Sequence, residues 1–195
     1  MSARAVFLDK DGTLVEDVPY NVDPAHIRLT EGAVEGLYAL HRAGYTLIVV
    51  TNQSGVARGY FPESALLAVE ERLRSLLAAG GVPLHGFYYC PHQPEGAVRT
   101  YAVTCGCRKP APGLLFRAAR RHAIDLCASW LVGDILHDVE AGRRAGCRTV
   151  LLDNGNETEW QLRPERIPDC RAPNLRAAAG AILAAPRRRC DVPYV

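Results

Sequence analysis

No run of 18 apolar residues occurs in the 195-residue chain, so no segment of it predicts a membrane-spanning helix. A secretory leader is not expected either. Met1-Ser2-Ala3-Arg4 runs straight into the short stretch Ala5-Val6-Phe7-Leu8, without a longer apolar region or cleavage site. The expectation is a cytoplasmic protein with no membrane partner. Charge of one sign is not in excess: 23 Lys and Arg face 21 Asp and Glu, for a net charge of +2. The one basic run, Arg187-Arg188-Arg189, reads as a solvated tail. Aromatic residues make up only 7 % of the chain. With scattered charge and few rings for bases to stack on, nucleic-acid binding is not expected. Repeats, low-complexity stretches and Pro/Ser-rich linkers are absent, so no second domain is predicted. The length, with 48 % hydrophobic residues, suits a single domain over 1–185 followed by a tail, 186–195.

Cysteine is plentiful. There are seven, an odd number, and no secretion signal accompanies them. Disulfides are therefore not expected, and metal ligation comes first.

The apolar pattern alternates between short runs and longer amphipathic stretches. Strands are predicted at Ala5–Leu8, Tyr45–Val50, Gly86–Tyr89, Trp130–Val132 and Thr149–Leu152. Helices are predicted over Glu31–Ala43, Pro62–Ala79, Ala111–Ala123, Val139–Ala145 and Leu175–Ala185, with Gly44 closing the first. This alternation implies an α/β fold, a doubly wound parallel sheet with helices on both faces. Such sheets bind ligands beyond the carboxyl ends of their strands. The polar motifs fall at those ends: Asp9 after the first strand, Thr51-Asn52-Gln53 after the second, Asp134 after the fourth.

In Asp9-Lys10-Asp11-Gly12-Thr13 an extended chain would point Asp9 and Asp11 the same way and Lys10 elsewhere. Two carboxylates that close repel, which a hard cation such as Mg²⁺ relieves. The same residues could form an ordinary turn. A calcium loop is excluded, because Tyr20 stands where its closing glutamate would be.

Four motifs in order resemble the haloacid dehalogenase superfamily. They are Asp9-Lys10-Asp11-Gly12-Thr13, Thr51, Lys109 in Cys107-Arg108-Lys109-Pro110, and Gly133-Asp134-Ile135-Leu136-His137-Asp138. The resemblance implies a Mg²⁺-dependent phosphomonoesterase. Asp9 is then the nucleophile and Asp11 the general acid and base. Thr51 and Lys109 hold the phosphoryl oxygens. Asp9, the main-chain carbonyl of Asp11, and Asp134 hold Mg²⁺. Asp138, one helical turn past Asp134, is either a partner of Lys109 or an acidic residue of a helix first turn.

Cys90-Pro91-His92 and Cys105-Gly106-Cys107 offer three thiolates and one imidazole at the two ends of the loop 93–104. A Cys₃His set with no open position predicts a structural Zn²⁺ site. Clamping Cys107 would fix the neighbouring Arg108 and Lys109. Cys127, Cys147, Cys170 and Cys190 lack such partners and read as ordinary thiols.

The zinc loop before Arg108-Lys109-Pro110 narrows the resemblance to the heptose bisphosphate and histidinol phosphatase branch. Thr51-Asn52-Gln53-Ser54-Gly55-Val56-Ala57-Arg58-Gly59 and Tyr88-Tyr89-Cys90-Pro91-His92 are similar to the D-glycero-D-manno-heptose 1,7-bisphosphate 7-phosphatases. That likeness implies a phosphorylated sugar as substrate, in the precursor pathway of surface glycans; a monomer is expected. It assigns substrate contacts to Asp17 and Tyr20 of the loop Asp17-Val18-Pro19-Tyr20, to Asn52, Gln53 and Ser54, and to Arg108. One departure is Ile135, where those enzymes carry a basic residue. Histidinol-phosphate phosphatase is the alternative activity. A phosphate-binding zinc module without catalysis would require Asp9 or Asp11 to be missing. The spacing between Gly12, Thr51 and Lys109 leaves no room for a large cap domain. The segment Asn154–Trp160 looks longer than compact members need.

Overall fold

A computed structural model describes residues 3–188. Six parallel strands form one sheet: β1 (Arg4–Leu8), β2 (Tyr45–Asn52), β3 (Gly86–Cys90), β4 (Trp130–Gly133), β5 (Arg148–Leu152) and β6 (Cys170–Ala172). Their order is β3-β2-β1-β4-β5-β6. The chain winds outward in one direction from β1 and in the other from β4. The crevice between the carboxyl ends of these two strands is the place where such sheets bind ligands.

The helices are α1 (Ala33–Arg42), α2 (Gly55–Arg58), α3 (Ala65–Ala79), α4 (Gly113–His122), α5 (Leu136–Arg144) and α6 (Leu175–Ala184). Alternation along each strand sorts them onto two faces. Val6 and Leu8 of β1 pack with Leu37 and Leu40 of α1, Val69, Leu73 and Leu77 of α3, and Leu175 and Ile182 of α6. Ala5 and Phe7 point the other way, to Leu114, Leu115 and Ala118 of α4 and Ala141 of α5. The four inner strands, β2, β1, β4 and β5, are buried on both faces, which is why they read as continuous apolar runs.

The predicted elements all occur, with shifted ends. The helix expected from Pro62 starts at Ala65, because residues 62–64 form a turn whose carbonyls accept from Ala65, Leu66 and Leu67. The helix expected from Val139 starts earlier, at Leu136, because its first turn is polar and carries no periodic signal. β6 and α2 are new. With three and four residues they are too short to show a period. No cap domain is inserted: only a one-turn helix, Pro24–His26, stands between β1 and α1, and only α2 and α3 between β2 and β3. Among the described residues no helix is long and apolar enough to cross a membrane.

One cysteine reading is corrected. Cys147 and Cys170 are free thiols as expected, but Cys127 is disulfide-bonded. An odd total argues against pairing every cysteine and leaves a single pair open. Cys190 lies outside the described residues, as do Arg189 and most of the predicted tail.

Candidate active site

β1 carries its hydrogen bonding one residue beyond its end. The Asp9 amide donates to the Val132 carbonyl (3.0 Å) and so holds Asp9 beside the tip of β4. The chain then turns sharply, with the Leu14 and Val15 amides both donating to the Lys10 carbonyl at 2.9 Å. Gly12 adopts φ +73°, and a Cβ there would lie 2.1 Å from Asp134 Oδ2. Glycine is thus needed for its backbone conformation and for the close approach of the two carboxylate segments. Gly12→Ala is expected to lower kcat/KM by about 100-fold or more, the scale of an ångström-sized misplacement in a site. Steady-state kinetics on the folded variant tests this; unchanged kinetics would contradict it.

The turn also changes where the side chains go. Lys10 does not point away from the site: it is buried and its ammonium contacts Asp11 Oδ1. The in-and-out alternation of an extended strand ends at Asp9, where the turn begins. Asp11 Oδ2 accepts from Gln53 Nε2 (3.1 Å). Burial raises the Asp11 carboxyl above its ordinary range and Asp9 adds to the effect, while Lys10 and Gln53 oppose it. A carboxyl pushed in that direction suits an acid that must keep a proton.

Lys109 is fully enclosed, its Nζ 2.8 Å from Asp9 Oδ1 and 2.6 Å from Asp138 Oδ1. Burial disfavours its charge, but Asp138 and Asp9 outweigh that and raise its pKa. Asp138 is therefore more than a first-turn acid. Its Oδ1 faces Lys109 and its Oδ2 accepts from the Ile135 amide (3.3 Å) at the start of α5. Gly133 leaves the room for this, since a Cβ there would sit 2.3 Å from the Asp138 side chain. Burial lifts Asp138 to about 6, with Lys109 opposing.

Asp134 stands at the tip of β4. Its Oδ1 accepts from Thr13 Oγ1 (3.0 Å) and its Oδ2 from Asn156 Nδ2 (2.9 Å). Burial, then Asp9 and Asp138, raise its pKa to about 8. Asp9, Asp134 and Asp138 each bring an oxygen within 4.8 Å of the others. With all three carboxyls ionised, Asp9, Asp134 and Asp138 around the single Lys109 ammonium leave the buried cluster with two negative charges in excess. A divalent cation supplies that balance, so the residues fit Mg²⁺.

Thr51 is buried at the end of β2, and its hydroxyl oxygen accepts from Gln53 Nε2 (3.0 Å), which leaves its own proton for another acceptor. Asn52 clasps the Lys109 main chain: its Nδ2 donates to the Lys109 carbonyl (3.1 Å) and its Oδ1 accepts from the Lys109 amide (3.0 Å). The amides of Asn52 and Gln53 thus act on Lys109, Asp11 and Thr51. Asn52, Gln53 and Ser54 nevertheless line, with Asp11, Asp17 and Tyr20, an open cleft of about 260 Å³. Tyr20 holds φ +56° and meets Tyr60 edge-on at 4.7 Å between centroids, with the Arg58 guanidinium 5.9 Å from its ring centre. Tyr60 and Arg58 carried no sequence signal for this. Arg108 is not among the lining residues; its Nη1 donates to the His92 carbonyl (3.3 Å). A larger cavity of about 770 Å³ beside α4, lined by Phe116, Ile124 and Leu126 among others, offers no carboxylate, thiol or hydroxyl.

The predicted zinc ligands converge. Cys107 Sγ lies 3.0 Å from Cys90 Sγ and 3.3 Å from Cys105 Sγ. His92 Nδ1 is 3.6 Å from Cys90 Sγ and 3.4 Å from Cys107 Sγ. A tetrahedron with ordinary zinc–sulfur and zinc–nitrogen bonds has ligand–ligand edges of about 3.5–3.8 Å, so the set fits Zn²⁺ with slight expansion. The loop between the ligand pairs is tied to the catalytic side of the sheet. The Val98 amide donates to the Ala57 carbonyl in α2 (2.8 Å), and Tyr101 Oη donates to Glu63 (2.7 Å).

A family model described as "HAD-hyrolase-like" matches residues 106–178. The D-glycero-beta-D-manno-heptose-1,7-bisphosphate 7-phosphatase of Photorhabdus laumondii is 43 % identical over 148 residues, covering 76 % of this chain and 79 % of the relative. A solved HAD-like phosphatase from Mesorhizobium loti superposes with TM-score 0.81 at 38 % identity, covering 93 % of this chain and 86 % of that one. The D,D-heptose 1,7-bisphosphate phosphatase of B. bronchiseptica, solved with magnesium and phosphate, superposes with TM-score 0.74 at 30 % identity, covering 92 % and 98 %. Likeness of this extent, on a sheet whose carboxyl edge gathers the four motifs, makes the chain a phosphatase of the haloacid dehalogenase-like hydrolases and places it in the family of the heptose-1,7-bisphosphate 7-phosphatases.

Proposed function

We propose that the protein removes the 7-phosphate of D-glycero-D-manno-heptose 1,7-bisphosphate through an aspartyl-phosphate on Asp9. The observation that carries the mechanism is the division of labour between the two motif aspartates. Asp9 sits against Lys109 in the charged cluster, and Asp11 stands apart against Gln53 at the open cleft.

An Asp9 oxygen attacks phosphorus and the sugar alkoxide leaves, taking a proton from Asp11. Asp11 then accepts a proton from the water that attacks the phosphorus of the aspartyl-phosphate, which releases phosphate and frees Asp9. The Thr51 hydroxyl and the Lys109 ammonium hold phosphoryl oxygens through both displacements. Asp9, the Asp11 carbonyl and Asp134 would hold Mg²⁺, which supplies neutralisation of the charge that builds up in phosphoryl transfer. Asp138 keeps Lys109 charged and aimed, since both its oxygens already have partners.

Supporting the substrate are the names of the relatives and the open cleft along Asp17, Tyr20 and Ser54, wide enough for a sugar. A panel of heptose 1,7-bisphosphate anomers, histidinol phosphate and fructose 1,6-bisphosphate, assayed for phosphate release with Mg²⁺, tests it. The expected result is kcat/KM of about 10⁵ M⁻¹s⁻¹ or better on one heptose anomer. Preference for histidinol phosphate would overturn the substrate and leave the mechanism.

The Cys90, His92, Cys105 and Cys107 set is proposed to hold structural Zn²⁺, fixing Arg108 through His92 and Lys109 through the chain. Stripping the metal with a strong zinc chelator, Mg²⁺ being kept saturating, is expected to lower the melting temperature by several degrees and raise KM. A protein that stays unchanged in both would contradict this role.

A further inference from the structure

The segment after β5 reaches back over the sheet edge into the active site. Asn154 Nδ2 donates to the Gly12 carbonyl (2.7 Å), inside the turn that follows Asp9. Asn156 Nδ2 donates to Asp134 Oδ2 (2.9 Å). Glu157 Oε2 accepts from the Leu136 amide (2.6 Å) at the first turn of α5, the helix that starts just after Asp134. Three polar contacts from four successive residues therefore fall on the motif-one turn, on the motif-four carboxylate, and on the helix that carries Asp138. Gly155, at φ +91°, lets the chain turn between the two asparagines.

From this geometry we infer that Asn156 is a positioning residue for Asp134, and that it sets how tightly the site takes its divalent cation. The inference rests on the reading of Asp134 as a metal ligand. A carboxylate turns about its Cβ–Cγ bond unless both oxygens are held. Here the Thr13 hydroxyl takes one oxygen and the Asn156 amide the other, so the plane of the carboxylate is fixed. Each oxygen keeps a further lone pair for a cation. Removing Asn156 frees one oxygen to rotate toward the Asp9 side of the cluster or into water. The contact also explains the size of Gly12: a Cβ at that position would meet Asn156 Nδ2 at 2.3 Å as well as Asp134. Partners that orient metal ligands typically change metal affinity by about 10–100-fold when they are lost.

The test is calorimetric titration with MgCl₂ of the full-length protein freed of Mg²⁺, with the Cys90, His92, Cys105 and Cys107 set kept loaded with Zn²⁺, alongside the Mg²⁺ dependence of phosphate release. Asn156→Ala is expected to weaken Mg²⁺ binding by about 10-fold or more. Its kcat at saturating Mg²⁺ should recover much of the wild-type value. Its melting temperature without Mg²⁺ should stay near wild type, which a loop serving only the fold would not allow. Asn156→Ser, with a donor too short to reach, should repeat the loss if the alanine variant folds poorly. Asp134→Asn separates the two levels. If it abolishes Mg²⁺ binding while Asn156→Ala and Asn156→Ser bind as wild type, the role of Asn156 is overturned and Asp134 stands as the ligand. If Asp134→Asn also binds Mg²⁺ normally, the metal assignment itself falls, and this inference with it.

Discussion

Asp9→Asn is expected to lower kcat by on the order of 10⁵, the scale of losing a nucleophile, while leaving the protein at least as stable as wild type. The activity loss follows from chemistry. An amide oxygen does not displace an alkoxide from phosphorus, and no other carboxylate can take over. Asp134 is held by Thr13 and Asn156, Asp138 by Lys109 and the Ile135 amide, and Asp11 by Gln53 and Lys10. The stability side follows from the charge of the metal-free cluster. Three buried carboxylates surround one ammonium, and Asp9 raises the pKa of both Asp134 and Asp138. Removing one negative charge relieves repulsion, and Lys109 retains Asp138 as its partner. Phosphate-release assays and thermal melts of the metal-free protein check both halves. A variant within 100-fold of wild type would contradict the mechanism, and a variant many degrees less stable would contradict the electrostatic account.

Lys109→Met should behave in the opposite way for stability. The methionine keeps most of the volume and removes the only ammonium of the cluster. Breaking a buried ion pair by deleting one partner typically costs about 3–5 kcal/mol, because the other charge is left buried and uncompensated. For a chain of this size that corresponds to a melting temperature lower by about 6–20 °C. Turnover should also fall by several orders of magnitude, since the phosphoryl oxygens lose their cation. Combining Lys109→Met with Asp138→Asn removes the orphaned carboxylate along with its partner. That double variant should regain much of the stability and none of the activity. Equal melting temperatures for Lys109→Met and wild type would show that the cluster is solvated, contrary to its burial.

Much of the fold and of the active site is legible in the sequence because both rest on local patterns. Strands buried on both faces read as short β-branched runs, and the residue after each run is where a doubly wound sheet exposes its ends. Asp9, Thr51 and Asp134 could be placed on that basis, and the four soft ligands at the two ends of one loop could be expected to meet. What the sequence could not show depends on the direction of side chains after a turn or on contacts between distant segments. Lys10 turned toward Asp11 because the strand geometry ends one residue earlier than alternation assumes. The amides of Asn52 and Gln53, read toward substrate, line the cleft and also hold Lys109, Thr51 and Asp11. Asn154, Asn156 and Glu157 were visible only as an unusually long polar segment. Their partners Gly12, Asp134 and Leu136 lie far away in sequence and are met only once β5 stands beside β4. Cys127 shows the same limit, since a cysteine count carries no information about which thiols become neighbours.

The most direct test of the central claim is to trap the covalent step. The protein would be mixed with heptose 1,7-bisphosphate labelled at the 7-phosphate, quenched in acid within milliseconds, and digested for peptide mapping. The account predicts transient, base-labile label on the peptide that carries Asp9, and none in Asp9→Asn. Phosphate release at the normal rate with no protein-bound label, or with label on another residue, would contradict it.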